Sequence, residues 1–104
     1  MARVTVSKEA RNDLVYIRDY ICDELCNPDA AQRILAALKK SILSLEHFPG
    51  RGKPLDALIA VHTEYRYLLC ENYCIFYLCI GEKVLVVRIL HQRQDSFRAL
   101  FLSE

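Results

Sequence analysis

The spacing of apolar positions divides this chain into two kinds of element. Arg3–Val6 alternates polar and β-branched residues and predicts a short strand. Ser7 then stands where a helix N-cap belongs, with Glu9 in the first turn, where the helix dipole favours an anion. Ala10, Leu14, Ile17, Ile21 and Leu25 recur at spacings of four and three, which makes one apolar face of a helix running to about Glu24. Arg11, Asp13, Arg18 and Asp19 fall on its other side and read as a solvated face. Asn27-Pro28-Asp29 starts a second helix: a capping side chain, then a proline whose missing N–H costs nothing at that position. Its stripe is Ala31, Ile34, Leu35, Leu38, Ile42 and Leu45, and Pro49-Gly50 stops it near His47. So short a connection makes the pair an antiparallel hairpin, with both stripes buried against each other and against a sheet.

From Tyr65 the period changes to two. Tyr65–Cys70, Tyr73–Ile80 and Lys83–Leu90 read as three strands joined by tight turns at Glu71-Asn72 and Gly81-Glu82, an antiparallel meander. Leu55–Thr63 fits either a turn of helix or an edge strand, and Ser96–Leu102 predicts a short helix with Phe97, Leu100 and Phe101 inward. The fold class is α+β, ordered β-α-α-β-β-β with a short C-terminal helix. A helical hairpin on one face leaves the other face of the sheet partly open.

Composition narrows the functions. The 104 residues, 53% of them hydrophobic, support one domain spanning 1–104. Net charge is +1 and evenly spread: residues 1–46 carry seven Lys/Arg against seven Asp/Glu, residues 47–104 seven against six. An anion-binding surface must therefore come from local arrangement, not bulk charge. Five cysteines without a C-x-x-C pair, and three scattered histidines, argue against a metal site. The thiols read as small core hydrophobes of a reducing compartment. No apolar signal region begins the chain, and its longest apolar run, Tyr73–Ile80, is too short to span a bilayer, so a cytoplasmic protein is expected.

Candidate chemistry gathers in Lys83-Val-Leu-Val-Val-Arg-Ile-Leu-His-Gln-Arg-Gln-Asp95. Its first half, apolar on both faces, predicts a strand in the middle of the sheet. Arg88 interrupts it, and a buried strand gains nothing from arginine unless an anion or carbonyls meet the guanidinium. Both an internal ion pair and a site are consistent with that. Pro49-Gly-Arg-Gly-Lys-Pro54 brings two more cations on a turn without P-loop spacing, either a phosphate cradle or a solvated connector.

The element order, His47-Phe-Pro-Gly-Arg-Gly-Lys-Pro54, Tyr65-Arg-Tyr, Tyr73-Cys-Ile-Phe-Tyr77 and Val87-Arg-Ile-Leu-His-Gln-Arg-Gln-Asp95 together resemble the RelE/ParE superfamily of bacterial type II toxin–antitoxin toxins. The resemblance covers nearly the whole chain. It implies one fold with two activities: RelE-like members cleave messenger RNA in the ribosome without a metal or other cofactor, and ParE-like members bind DNA gyrase and are not nucleases. Both are held inactive by a small antitoxin, and a relative that retains only antitoxin binding is a third possibility. Ribonuclease chemistry needs a base for the 2′-hydroxyl proton and cations for the charged transition state. On the RelE-like reading, the leading expectation, Arg66, Arg88 and His91 are catalytic, and Arg51, Lys53 and Arg93 hold phosphates. They would converge in a solvent-accessible hollow opposite the helices. Two departures stand out: Gln92 follows His91 where RelE-like enzymes place an aromatic, and net charge is low for a protein lodged among ribosomal RNA.

Overall fold

A computed structural model describes residues 1–57 and 63–92. Strand β1 (Arg3–Val6) leads into helix α1 (Lys8–Asp19), which continues as a single π-helical turn at Tyr20–Glu24. Helix α2 (Pro28–Ser44) follows, then a two-residue strand β2 (Lys53–Pro54), a 3-10 turn, and strands β3 (Tyr65–Cys70), β4 (Tyr73–Ile80) and β5 (Lys83–His91). The sheet order is β1-β5-β4-β3-β2. β1 runs parallel to β5, and every other pair is antiparallel. The α+β architecture, the hairpin and the meander are as the sequence predicts. The expected C-terminal helix at Ser96–Leu102, and most of Leu55–Thr63, lie outside the described residues.

Both predicted caps are made. The Ser7 Oγ accepts from Ala10 N at 3.0 Å and the Asn27 Oδ1 from Ala30 N at 3.1 Å. Helix phasing fails only at the end of α1. There Leu25 N donates to Tyr20 O, five residues back, at 3.2 Å, and the wider turn rotates Leu25 off the apolar stripe and into solvent. Cys26, with φ 51°, then closes the helix in the left-handed region. β2 was expected to be a loop; it is tolerated as a strand because Pro54 sits on the sheet edge, where no N–H is needed.

The main core lies between the helices and the sheet. Ala10, Ile17, Leu38, Ile42 and Leu45 meet Leu68, Ile75, Tyr77, Val84, Val86 and Ile89, all buried. The opposite face is not the open surface expected. Leu55, Tyr67, Cys74, Phe76 and Leu90 form a second buried cluster there, with Tyr65 and Val87 against it. The alternation that fills one face with apolar side chains fills the other as well, and such a face gains by being covered rather than solvated.

Tyr77 joins the sheet to the turn after α2. Its ring is fully buried, and its hydroxyl accepts from Gly52 N at 2.8 Å and donates to Pro49 O at 2.9 Å. Gly52 is compulsory, since a Cβ there would lie 2.5 Å from Tyr67 O and 2.6 Å from the Tyr77 hydroxyl. Tyr77→Phe leaves the Gly52 amide buried without its acceptor, which should lower the unfolding free energy by about 1–3 kcal/mol. Urea denaturation checks this: the midpoint should fall with the m-value unchanged.

Candidate functional site

β1 ends at Val6, and the chain leaves the sheet through Ser7. The Ser7 amide donates to Val86 O at 2.9 Å and its hydroxyl to Val87 O at 2.9 Å. Beyond that point no strand among the described residues pairs with the outer side of β5, and α1 packs against it instead. Val87 is also an extra residue in the β4 pairing, because Tyr77 faces Val86 and Phe76 faces Arg88. Such a bulge re-aims the side chain that follows it. Arg88 accordingly leaves the sheet edge towards α1 and meets Asp13 in a two-pronged pair, Nε–Oδ2 at 2.8 Å and NH2–Oδ1 at 3.0 Å. The same Oδ2 accepts from Ile89 N at 2.9 Å, an amide beyond the stretch that β1 pairs.

This pair settles what Arg88 meets. The hydrogen bonds it donates to Asp13 hold the Arg88 guanidinium above its ordinary pKa against the opposing pull of burial, with smaller help from the charges of Asp13 and Glu9. The Asp13 side chain is 14% exposed, so it does not belong to the solvated face of α1. The signal was present: Asp13 lies three residues after Ala10 and four before Ile17, which is core spacing.

Around the pair is a cleft of about 710 Å³ between α1 and the β5 edge. Tyr16 and Tyr20 stack along one wall, with ring centroids 6.3 Å apart and planes at 21°. On the floor, the Tyr73 ring meets His91 edge-on at 5.3 Å. Burial raises the Tyr73 phenol's pKa, with smaller contributions from Tyr20 and Tyr16. Arg88 and His91 therefore share one aromatic-walled cleft.

Arg66 is elsewhere. It pairs with Tyr77 across β3–β4, and its NH2 donates to Gly52 O at 2.6 Å and Gly50 O at 3.1 Å. Its Nε is buried with no hydrogen-bond partner, so the group serves as an internal brace for the turn. Arg51 and Lys53 are exposed on that turn, with the Arg51 NH1 held by the Ser44 Oγ at 2.6 Å. β4 separates this cluster from Arg88 and His91, and the two arginines turn to opposite edges of the sheet. The expected single hollow is not formed, because the face it required is filled by the second core. Arg93 lies outside the described residues.

No three His, Cys, Asp or Glu among the described residues are grouped to hold a metal. No described helix is long and apolar enough to cross a membrane. Among the thiols only Cys74 is buried; Cys26 and Cys79 are exposed, so the reading of all five as core hydrophobes holds in part.

Comparison with known proteins decides the family. Residues 4–96 match the family model of the ParE toxin of the type II toxin–antitoxin system parDE. This chain belongs to the ParE toxin family. It is thus the toxin component of a type II toxin–antitoxin system. A chain of the chromosomal ParDE system from P. aeruginosa superposes with a TM-score of 0.73 at 18% identity, covering 88% of this chain and 96% of that one. A chain of the RelBE2 toxin–antitoxin complex from Mycobacterium tuberculosis gives 0.62 at 22% identity, covering 86% and 96%. At these identities the likeness is one of fold. A sequence search of curated proteins gives no significant match.

Asp13→Ala in this ParE-family chain removes both the anion beside Arg88 and the acceptor of Ile89 N. With Arg88 28% exposed, the loss should be about 1–3 kcal/mol, below that of a fully buried pair. A double-mutant cycle with Arg88→Ala checks it: the double variant should lose less than the two single variants summed. Burial pushes the Cys74 thiol from near 9 up to about 12. Folding therefore favours its protonated form, a contribution present below pH 9 and lost as pH rises towards about 12. Iodoacetamide at pH 8 should label Cys26 and Cys79 first and Cys74 only on unfolding, as peptide mapping will read.

Proposed function

We infer that this ParE-family toxin arrests growth by binding DNA gyrase, not by cutting messenger RNA, and that a cognate antitoxin in the cytoplasm holds it inactive. The separation of Arg66 from Arg88 carries this reading. Attack by a 2′-hydroxyl needs its base and its cations around a single phosphate. Here the two arginines stand two strand spacings apart, on the order of 10 Å, and diverge. Each is already engaged: Arg88 by the Asp13 carboxylate, Arg66 by two turn carbonyls. Lending Arg88 to a phosphate would strand the Asp13 carboxylate without its cation, at about 1–3 kcal/mol for this partly exposed pair. A net charge of +1 also gives little electrostatic attraction to ribosomal RNA. Arg51, Lys53, His91 and Arg93 then become candidate contacts to a protein target rather than parts of a nuclease centre.

Two assays on the purified toxin test this. Gyrase should stop supercoiling relaxed plasmid at near-stoichiometric toxin, while messenger RNA in a translating extract keeps its full length by primer extension. New 5′ ends that vanish with Arg88→Ala or His91→Ala, with supercoiling unaffected, would restore the ribonuclease reading. Silence in both assays would leave a relative that only binds antitoxin.

A further inference from the structure

Helix α1 sorts its charged residues between two sides. Arg11 and Arg18 line the seam with α2, whereas Asn12, Asp13, Tyr16 and Tyr20 line the cleft against β5. Glu9 stands about two turns before Tyr16 on the cleft side, and its charge is felt at Arg88. The π-helical turn that follows Tyr20 adds Asp23 and Glu24. All three residues are exposed, and none of their carboxylates has a hydrogen bond or ion pair among the described residues. The neighbouring cations do not balance them. Arg88 is taken by Asp13, and Arg18 reaches to Asp19 at 3.0 Å. With Lys8 set against them, a net negative charge remains.

Between these carboxylates stand the two tyrosines. Tyr16 is 63% exposed and Tyr20 44%, too much for packing against the core to be their role. With centroids 6.3 Å apart and planes at 21°, the rings make one aromatic wall. Neither ring has a cation over it, and neither hydroxyl a hydrogen bond, among the described residues. The face of an aromatic ring is electron-rich and attracts a cation within about 6 Å of its centroid. Opposite the wall, buried Tyr73 and Ile89 give the cleft an apolar floor.

We propose that this cleft takes an arginine side chain presented by the target protein, its guanidinium against the Tyr16 and Tyr20 rings in the field of Glu9, Asp23 and Glu24. That the target is gyrase rests on the reading above; the choice of arginine does not. A guanidinium is planar and weakly hydrated, so it lies flat on a ring and keeps its N–H groups free for carboxylates at the edge. A compact, strongly hydrated ammonium does this less well. The same charges exclude other occupants. A phosphate or an acidic segment would meet unpaired carboxylates and find Arg88 already engaged. A second copy docked cleft to cleft across a twofold axis would set like charges face to face.

Two measurements test this. The first needs no target: Nα-acetylarginine amide is titrated into the full-length toxin carrying 13C in its tyrosine rings, with Tyr16→Phe and Tyr20→Phe assigning the signals. Both ring signals should shift and saturate at roughly millimolar concentration, as a single exposed cation–ring contact allows. The lysine analogue should bind more weakly, and the uncharged citrulline analogue should leave both signals unmoved. The second measures toxin binding to immobilised gyrase by surface plasmon resonance. Tyr16→Leu/Tyr20→Leu keeps apolar bulk without ring faces and should bind about tenfold more weakly. Tyr16→Phe/Tyr20→Phe, which keeps the faces, should bind as wild type does. Glu9→Lys/Asp23→Lys should bind about tenfold more weakly as well, mainly through slower association. All three variants should hold the module's own antitoxin with unchanged affinity. Ring signals that ignore the arginine compound, or follow the citrulline analogue equally, overturn the proposal. So does a folded leucine variant that binds gyrase as wild type does, or one that loses the antitoxin instead. A wild-type self-association that the leucine variant abolishes also overturns it, because the occupant would be a second copy. Should the leucine variant not fold, the titration and the charge-reversed variant decide. Should wild type itself fail to bind gyrase, the gyrase reading falls and the titration alone decides on the arginine.

Discussion

A single carboxylate, that of Asp13, decides how the helical hairpin and the sheet fit together. Among the described residues β5 is a central strand for half its length and an edge for the other half, because β1 ends at Val6. An uncovered edge presents unpaired backbone groups to which another strand can add. Asp13 closes that edge from α1 by taking the two-pronged guanidinium of Arg88 and the amide of Ile89 together. The geometry depends on the extra residue at Val87, which turns Arg88 out of the sheet. The pair fixes the crossing of α1 over β5 and, with it, the shape of the aromatic cleft beside it. Its value lies more in specifying that arrangement than in raw stability, since partly exposed ion pairs contribute modestly.

The turn after α2 is organised by different means to the same end. Tyr77 reaches from the middle of the core to hold Gly52 and Pro49, and Arg66 braces the same turn through its carbonyls. Each of the two arginines most suited to holding a phosphate is thus occupied by the fold itself, on opposite sides of β4. That leaves exposed Arg51 and Lys53 on one rim, and Arg88 with His91 in a cleft walled by tyrosines. Such surfaces suit protein recognition, where aromatic rings and an arginine commonly anchor an interface.

Most of the architecture was legible in residue spacing. The period of four and three through Ala10, Leu14, Ile17 and Ile21, the caps at Ser7 and Asn27, and the change to a period of two at Tyr65 each reflect a local preference that the finished fold obeys. Leu25 departed because one π-helical turn shifts the phase, and no side-chain pattern announces an added residue per turn. The alternation in β3–β5 was read correctly but its consequence was not: apolar residues on both faces mean two cores, not a core and an open hollow.

The site was much less legible, for a reason that separates sequence from fold. The sequence by itself determined the elements, the hairpin, the meander and the presence of cations on the turn and on two strands, because these depend on neighbours a few residues apart. Only the tertiary structure decided that Arg88 answers to Asp13, 75 residues away, and that Arg66 answers to Gly50 and Gly52. Which charges meet depends on strand register and on one bulge, and a shift of a single residue reverses where a side chain points.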